Sequence, residues 1–203
     1  MFEPPRAHRT IWQHWRVFGP VLTGPRVRLR PPALGDVTSF SRWFADYEIV
    51  RYWWMGDVPW ARQPRIAAVR VFLGAWFMPN TVVWTIEREG RPIGHCHIRE
   101  IDRVNGRAST ALLIGERSEH GKGIAQEAIA LRSEFAFRTL RLHKLKTSTQ
   151  AMNEAGRRML EKSGYRLVGS AREDAHIDGE RRDVLLFELL REDYERQRST
   201  GTS

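Results

Sequence analysis

The feature that most constrains the fold is a change of hydrophobic period near the middle of the chain. Three successive segments, TVVWTIERE, RPIGHCHIREID and RASTALLIGE, have the composition of strands and are joined by short GR and VNG turns that suit hairpins. From there the apolar residues recur at helical spacing, in a stripe formed by Ile124, Ala128, Leu131 and Phe135. A meander of strands that leads directly into a helix predicts an α+β domain and excludes a doubly wound parallel sheet.

The flanking segments complete the predicted order β-α-α-β-β-β-α-β-α-β-β. Before the meander, RVRLRPP predicts a short strand, Asp36 is expected to cap a helix, and a second helix is expected over residues 64–76. After the central helix come a strand at HKLKTSTQ and a short helix capped by Asn153 that stops at Gly164. The segments YRLVGSARED and RRDVLLFELL predict a closing hairpin.

Length and composition indicate one soluble domain. The 203 residues are 41% hydrophobic, and we expect an N-terminal arm at residues 1–25, a domain at 26–194 and a polar C-terminal tail at 195–203. The single cysteine, Cys96, excludes an internal disulfide framework and a multi-cysteine metal site. With no apolar run of the ~20 residues that a membrane helix needs, we expect a cytoplasmic protein with no membrane partner. The formal net charge of +9 favours polyanionic ligands, such as nucleic acid or a phosphate-rich cofactor.

The loop ERSEHGKGIAQEA, at residues 116–128, has the glycines of a phosphate-binding turn. It is not a P-loop, because Glu116 stands where the first glycine belongs and Gly123 where a Ser or Thr should hold magnesium. It is not a dinucleotide fingerprint, because the third glycine position is Gln126. The pattern that remains is a strand, a glycine turn and a helix start, whose free backbone N–H groups can bind a pyrophosphate without a metal.

The segment LLIGERSEHGKGIAQEA, followed by NEAGRRMLEKSGYRLVG and RRDVLLFELL, resembles the GNAT family of N-acetyltransferases. Within that family it is most similar to the Rim-type branch, which acetylates the N-termini of ribosomal proteins. The resemblance extends from Arg26 to about Tyr194. It implies a mixed, largely antiparallel central sheet with flanking helices, splayed between its fourth strand, ALLIGE, and its fifth. It also implies acetyl-CoA as the acyl donor, no metal, and a homodimer.

The same resemblance implies a set of cofactor-binding residues. The backbone of the fourth strand would pair with the pantetheine arm of the cofactor at Leu113, Ile114 and Gly115. Backbone amides would hold the pyrophosphate at Glu119, His120, Gly121, Lys122, Gly123, Ile124 and Ala125. Asn153 would lie beside the pantetheine, or serve as a simple helix cap. Cations of the following helix would meet the adenosine or its phosphates, namely Arg157, Arg158 and Lys162.

Two family positions that supply a general acid differ in this chain. Gly156 stands where Rim-type enzymes carry a serine, and Leu160 stands where many other members carry a tyrosine. A thiolate with a pKa around 8.5 is still a tolerable leaving group, so the absent acid does not exclude the reaction. A third difference, Ser118 in place of Arg or Gln, bears on cofactor binding only.

The acceptor side offers several candidates for each role. An alkyl amine with a pKa near 10 is mostly protonated at pH 7, so a base is useful; the candidates are Glu100, Asp102, Glu116, Asp174 and His176, with Glu100 and His176 preferred. The backbone N–H of Ile114 could stabilise the oxyanion. The aromatic segment RYWWMGDVPW would build one wall of the acceptor site, with Tyr52, Trp53 and Trp54 as contacts. His95 and His97 share a strand face but lack a third metal ligand.

The favoured function is therefore an acetyl-CoA-dependent N-acetyltransferase. Its acceptor would be a primary amine, either a protein N-terminus or a small-molecule, aminoglycoside-like amine, attacking the thioester directly in a ternary complex. Two alternatives remain open. The basic charge suggests an RNA- or ribosome-associated binding protein, although no RNA-binding motif is present. The absent serine and tyrosine suggest a non-catalytic acyl-CoA sensor.

Overall fold

The computed structural model describes residues 17–53, residue 69 and residues 80–200. Within them the strands are β1 Val17–Phe18, β2 Leu22–Thr23, β3 Arg28–Arg30, β4 Val82–Arg88, β5 Arg91–Asp102, β6 Arg107–Ile114, β7 Lys144–Gln150, β8 Arg166–Ile177 and β9 Glu180–Leu190. The α-helices are α1 Asp36–Ala45, α2 Tyr47–Val50, α3 Ile124–Glu134, α4 Glu154–Lys162 and α5 Arg191–Thr200. The expected helix over residues 64–76 lies outside the described residues, as do residues 1–16 of the expected arm.

All of these strands belong to one sheet. Its order is β2-β3-β4-β5-β6-β7-β9-β8, and β1 pairs with β4 off this path. The neighbours pair antiparallel except for β1 with β4 and β6 with β7. The predicted α+β class with a mixed, largely antiparallel sheet is confirmed.

The sheet opens between β6 and β7. Their parallel pairing covers only three register positions, from Arg107 opposite Lys144 to Ser109 opposite Lys146. At the branch point, threonine hydroxyls bridge the strands: Thr110 Oγ1 donates to Lys146 O at 3.2 Å, and Thr147 Oγ1 donates to Thr110 O at 2.9 Å. Beyond it the strands separate, so the predicted splay between the family's fourth and fifth strands is confirmed.

Helix α3 packs its predicted apolar stripe on the sheet. Ile124 and Ala128 are buried, and the helix continues into a π-helical turn over Phe135–Thr139. The ring of Phe135 meets the fully buried Trp84 of β4 edge to face, with centroids 5.3 Å apart. Because buried aliphatic side chains each contribute about 1.5–3 kcal/mol, this stripe fixes the start of α3, and with it the glycine turn, against the sheet.

Asp36 is not the N-cap of α1 that the sequence suggested. Gly35 occupies the cap position without a side-chain hydrogen bond, and Asp36 is the first helical residue. Its buried carboxylate accepts two hydrogen bonds from the guanidinium of Arg30, one from the hydroxyl of Thr85 and one from the amide of Ala33. The carboxylate therefore joins β3, β4 and the start of α1.

The two ends of the described chain carry regular structure. The segment 17–23, within the expected arm, supplies β1 and β2 to the sheet. Helix α5 runs through residues 195–200 of the expected tail, and its buried Tyr194 packs on Phe137 with ring centroids 5.1 Å apart. The domain boundaries themselves remain a prediction. Across the described ranges, the helices are too short or too polar to cross a lipid bilayer.

Candidate functional site

The glycine loop connects β6 to α3 by way of a 3-10 turn at Arg117–Glu119. Gly121 and Gly123 both adopt left-handed backbone conformations, with φ of 75° and 72°. Residues with a Cβ adopt this region at a cost of about 1–2 kcal/mol, which explains why glycines stand here. Gly123 is the N-cap of α3, so the turn ends where the helix begins.

The backbone amides of this loop divide into two groups. The amide of Glu119 donates to Glu116 O at 3.0 Å and that of His120 to Arg117 O at 3.1 Å, so both are engaged within the 3-10 turn. In the described part of the chain, the amides of residues 121–126 have no hydrogen-bond partner, and the first helical bond runs from Glu127 N to Gly123 O. The predicted set of pyrophosphate-binding amides is therefore corrected. The amides of Glu119 and His120 are already hydrogen-bonded within the protein, whereas those from Gly121 to Ala125 are free at the positive end of α3.

Arg26 holds the other side of the loop. Its Nη1 donates to Lys122 O at 2.7 Å and its Nη2 to Gly123 O at 3.2 Å, while its Nε pairs with Glu127 Oε2 at 2.6 Å. Glu127 Oε1 also accepts from the amides of Arg26 and Val27. Although desolvation raises the pKa of Glu127, these hydrogen bonds lower it below its ordinary value. With its carbonyls fixed on Arg26, the loop is held in its left-handed conformation before any ligand binds.

Replacing Arg26 by alanine is expected to weaken acetyl-CoA binding by about tenfold, equivalent to about 1.4 kcal/mol. The loop carbonyls would lose their donors and the amides their fixed orientation. Arg28 provides a matched control, because its side chain is 50% exposed against 49% for Arg26 and it pairs with Glu87 instead of the loop. Calorimetric titration of both alanine variants measures the difference. Equal affinities would contradict the positioning role of Arg26.

A cleft of about 510 Å³ lies in front of the loop, between β6, α3, α4 and α2. Most of the predicted cofactor residues line it: Leu113, Ile114, Glu119, His120, Gly121, Gly123, Ile124, Ala125, Asn153, Arg158 and Lys162. Gly115 and Lys122 do not. Lining residues that the sequence analysis missed are Glu48, Ile49, Leu112, Gln126, Ala155 and Met159.

Only one of the three predicted β6 backbone contacts points into this cleft. The amide of Gly115 donates to Ile93 O at 2.9 Å, and an added Cβ at Gly94 would lie 2.3 Å from Leu113 O, so both groups face β5. Because polar backbone groups alternate along a strand, those of Ile114 face the opposite edge, where Ile114 O accepts from His120 Nε2 at 2.9 Å. The predicted pairing through Leu113 and Gly115 is thus wrong. By the same alternation, the backbone groups of Leu112 face the same edge of β6 as those of Ile114, toward the cleft.

Asn153 caps α4 and orients a second residue. Its Oδ1 accepts from the amide of Gly156 at 2.9 Å, which turns its Nδ2 toward Thr149 Oγ1 at 3.0 Å. The hydroxyl of Thr149 then accepts from Asn153 and keeps its own proton for another acceptor. A Cβ at Gly156 would lie 2.9 Å from this oxygen. Thr149, on β7, thus places its hydroxyl close to the position that the side chain of a serine at residue 156 would occupy. No local signal in the sequence links Thr149 to Gly156.

The cations of α4 differ in their placement. Arg158 and Lys162 line the cleft, and Arg158 also pairs with Glu154 at 2.9 Å. Arg157 does not line it and pairs with Glu161 at 2.8 Å.

The structure does not bring the expected bases into the cleft. Glu100 is exposed and accepts from Ser109 Oγ at 2.6 Å, and Glu116 accepts from Arg42 and from the indole Nε1 of Trp43. His176 lies exposed near the β8–β9 turn. The described residues that line the cleft include none of these three side chains, nor Asp102 or Asp174. The choice of a base among them therefore stays a prediction.

A smaller cavity of about 180 Å³ continues the cleft into the splay. The two share several lining residues, among them Tyr52, Trp53, Leu112, Asn153, Gly156 and Met159. Tyr52 and Trp53 therefore stand where an acceptor wall was predicted, whereas Trp54 lies outside the described residues. Leu160, at the position of the family's tyrosine, lines the smaller cavity.

His95 and His97 lie behind this wall. The ring of Trp53 packs edge to face on both imidazoles, at centroid distances of 5.7 and 5.8 Å. Desolvation lowers the pKa of His95 to about 4 and that of His97 well below its ordinary value, so both rings are neutral at pH 7. In the described residues, no three His, Cys, Asp or Glu side chains are grouped to hold a metal ion.

Comparison with known proteins agrees with this geometry. The family model of the acetyltransferase (GNAT) domain matches residues 26–166. An uncharacterized N-acetyltransferase of Bacillus licheniformis, p20, is 25% identical over 170 residues, which cover 83% of this chain and 95% of the relative.

Two solved structures share the fold. Spermidine N-acetyltransferase from Vibrio cholerae, in complex with CoA and spermine, has a TM-score of 0.75 at 21% identity and covers 85% of this chain and 99% of its own. Mycobacterium smegmatis RimJ, in complex with CoA-disulfide, has a TM-score of 0.72 at 21% identity and covers 86% of this chain and 89% of its own. The resemblance to the family is confirmed: the chain belongs to the GNAT acetyltransferases, with acetyl-CoA as its acyl donor.

Proposed function

We propose that this protein transfers the acetyl group of acetyl-CoA to a primary amine, by direct attack within a ternary complex in the cleft at the splay. The observation that carries the proposal is the row of free amides from Gly121 to Ala125 beside a cleft that reaches the opening between β6 and β7. These amides would bind the pyrophosphate, Ile114 would pair with the pantetheine arm, and Arg158 with Lys162 would meet the adenosine phosphates. A cytoplasmic location and a homodimer belong to the same proposal.

The transfer itself forms one bond and breaks one. The neutral amine nitrogen attacks the thioester carbonyl carbon, and the backbone N–H of Ile114 would stabilise the resulting oxyanion. The carbon–sulfur bond then breaks with its electron pair going to sulfur, and the amine proton is lost to water. None of the predicted bases lines the cleft, and the two carboxylates that do among the described residues, Glu48 and Glu119, pair with Arg51 and Arg88. The proposed proton acceptor is therefore water in the open cleft.

We propose that Thr149 assists the departure of the thiolate by donating a hydrogen bond to it. Its hydroxyl is buried beside Gly156 and Asn153 and is oriented by the amide of Asn153. A hydroxyl does not ionise here, but it can donate a hydrogen bond to the departing thiolate and so lower the barrier.

Replacing Thr149 by valine is expected to lower kcat by about tenfold, which corresponds to about 1.4 kcal/mol of lost transition-state stabilisation. The affinity for acetyl-CoA should change little, because the hydroxyl acts mainly on the leaving sulfur. Thr149→Ser is the matched control, since it keeps the hydroxyl and should retain most of the activity. If the serine variant is as slow as the valine variant, Thr149 has only a packing role.

The proposed function is tested by calorimetry with acetyl-CoA, followed by measurement of thiol release with a panel of primary amines. Binding at micromolar concentration together with amine-dependent thiol release is the expected result. Binding without turnover on any amine would favour the acyl-CoA sensor. Absence of binding, with salt-dependent affinity for RNA instead, would overturn the proposal in favour of the nucleic-acid binding protein.

A further inference from the structure

An arginine lies in the core where a helix packs on the sheet. Arg132, on α3, is 1% exposed and is one of the largest fully buried side chains among the described residues. Its Nη1 donates to Ala111 O at 2.8 Å and its Nη2 lies 3.4 Å from Tyr165 Oη. No carboxylate of the described chain forms an ion pair with it, and its Nε has no hydrogen-bond partner there.

Such a residue is costly to the fold. A guanidinium keeps its charge in proteins, and a buried charge without a counter-ion destabilises the folded state more than an apolar side chain of similar size. Ile129, one turn before Arg132 on α3, is a buried apolar residue, so packing on this face of the helix does not itself require a charge. The charge therefore calls for an explanation other than stability.

The explanation lies in the smaller cavity at the splay, which Arg132 lines. Arg99, with a side chain 55% exposed, lines the same cavity, and its nearest carboxylate oxygen, on Glu100, is 3.8 Å away. The other polar lining residues are neutral: Tyr52, Trp53, Thr110, Thr147, Ser148, Thr149, Gln150 and Asn153. Neither Asp nor Glu is among the described residues that line it. The cavity combines a fixed positive charge in its wall, a second one that can reach solvent, and hydroxyl donors.

We infer that the acceptor is a small primary amine that carries a carboxylate, and that Arg99 and Arg132 select it. This deepens the proposed function and rests on it. The carboxylate would meet Arg99 and the hydroxyls of the cavity, with the charge of Arg132 behind them, while the amine faces the thioester beside Asn153 and Thr149. A volume of about 180 Å³ accommodates a molecule of amino-acid size.

The same charges disfavour a polycation. Two guanidinium groups with no lining carboxylate repel a polyamine, and the cost of such a like-charge contact rises in a site of low dielectric. The amine-binding preference of this chain should therefore differ from that of the fold neighbour solved with spermine.

The test compares acceptors of different charge, two of which, β-alanine and its amide, are nearly equal in size. β-Alanine, β-alaninamide and spermidine are assayed for thiol release with the full-length protein, and acetyl-CoA affinity is measured separately by calorimetry. We expect kcat/KM for β-alanine to exceed that for its amide by about tenfold or more, with spermidine the poorest acceptor. In Arg132→Leu this ratio should fall toward unity, while acetyl-CoA affinity stays within about twofold. A cooperative thermal unfolding transition checks that the variant is folded.

Arg99→Met provides a second variant at a half-exposed position, where the fold is not at risk. It should reduce the same ratio, whereas Arg28→Met, on the distant β3, should leave it unchanged. Preference for the amide or for spermidine, or a ratio unchanged in both the Arg99 and Arg132 variants, would overturn the inference. A protein that fails to bind acetyl-CoA or to release thiol with any amine refutes the proposed function instead, so the two failures are distinguishable.

Discussion

Replacing Gly123 by valine is expected to weaken acetyl-CoA binding by about tenfold to a hundredfold, or about 1.4–2.8 kcal/mol. Gly123 has a φ of 72°, which a β-branched residue adopts only under strain, and an added Cβ would lie 3.3 Å from Arg26 Nη1. The turn should relax toward a negative φ, and this change would redirect the amides at the start of α3. Calorimetric titration with acetyl-CoA measures the loss.

Gly90 supplies the control for this experiment. It has a φ of 74° in the β4–β5 turn, and an added Cβ there meets nothing within 4 Å. Gly90→Val therefore introduces similar backbone strain away from the cleft. Thermal unfolding should show comparable destabilisation of both variants, with loss of affinity in Gly123→Val alone. If both variants bind acetyl-CoA like the wild type, the loop serves only as a change of chain direction.

Replacing Asp36 by alanine is expected to lower the free energy of unfolding by about 3 kcal/mol or more. The change removes the bidentate partner of Arg30, at 2.7 and 2.8 Å, and leaves the buried hydroxyl of Thr85 without its acceptor. Urea denaturation measures the difference. Glu161→Ala, which removes an exposed carboxylate paired with Arg157 on α4, is the control and should change stability little. A comparable loss in the two variants would contradict the structural role of Asp36.

The same carboxylate predicts the pH dependence of stability. Desolvation raises the pKa of Asp36, but the hydrogen bonds from Arg30, Ala33 and Thr85 outweigh it and lower the pKa below its ordinary value of 3.8. A carboxylate whose pKa is lower in the folded state stabilises the fold above the unfolded pKa, and this contribution is lost as pH falls through the folded one. Stability of the wild type should thus decline below about pH 3.8, and the Asp36→Ala variant should show a shallower decline.

Local periodicity predicted much of this fold because the informative elements are regular and continuous in sequence. The meander, the stripe of α3 and the cap at Asn153 each depend on residues within a few positions of one another. The direction of the backbone groups in β6 is a different case, because that expectation came from the family resemblance, whereas the period-2 alternation of the strand turns Leu113 and Gly115 toward β5.

The candidate site was less predictable because its chemistry depends on distant pairs. Glu116 is held by Trp43, which is 73 residues away, and the loop carbonyls are held by Arg26, about 96 residues away. Thr149 and Gly156 become neighbours only through the turn into α4. Arg132 is unpredictable for another reason: it is a charged residue on the buried face of α3, and an apolar stripe carries no signal for such a residue.

The splay also divides the sheet mechanically. Strands β2 to β6 form one leaf and β7 to β9 the other, and between them β6 and β7 share three register positions and two threonine bridges. A bound cofactor would contact β6 and α3 on one side of the splay and Asn153, which follows β7, on the other. It would therefore link the two halves of the sheet. A bound ligand would therefore reduce the motion of strands such as β8 that lie far from it. In the unliganded protein, the two halves of the sheet would separate most easily at the opening through which the substrates enter.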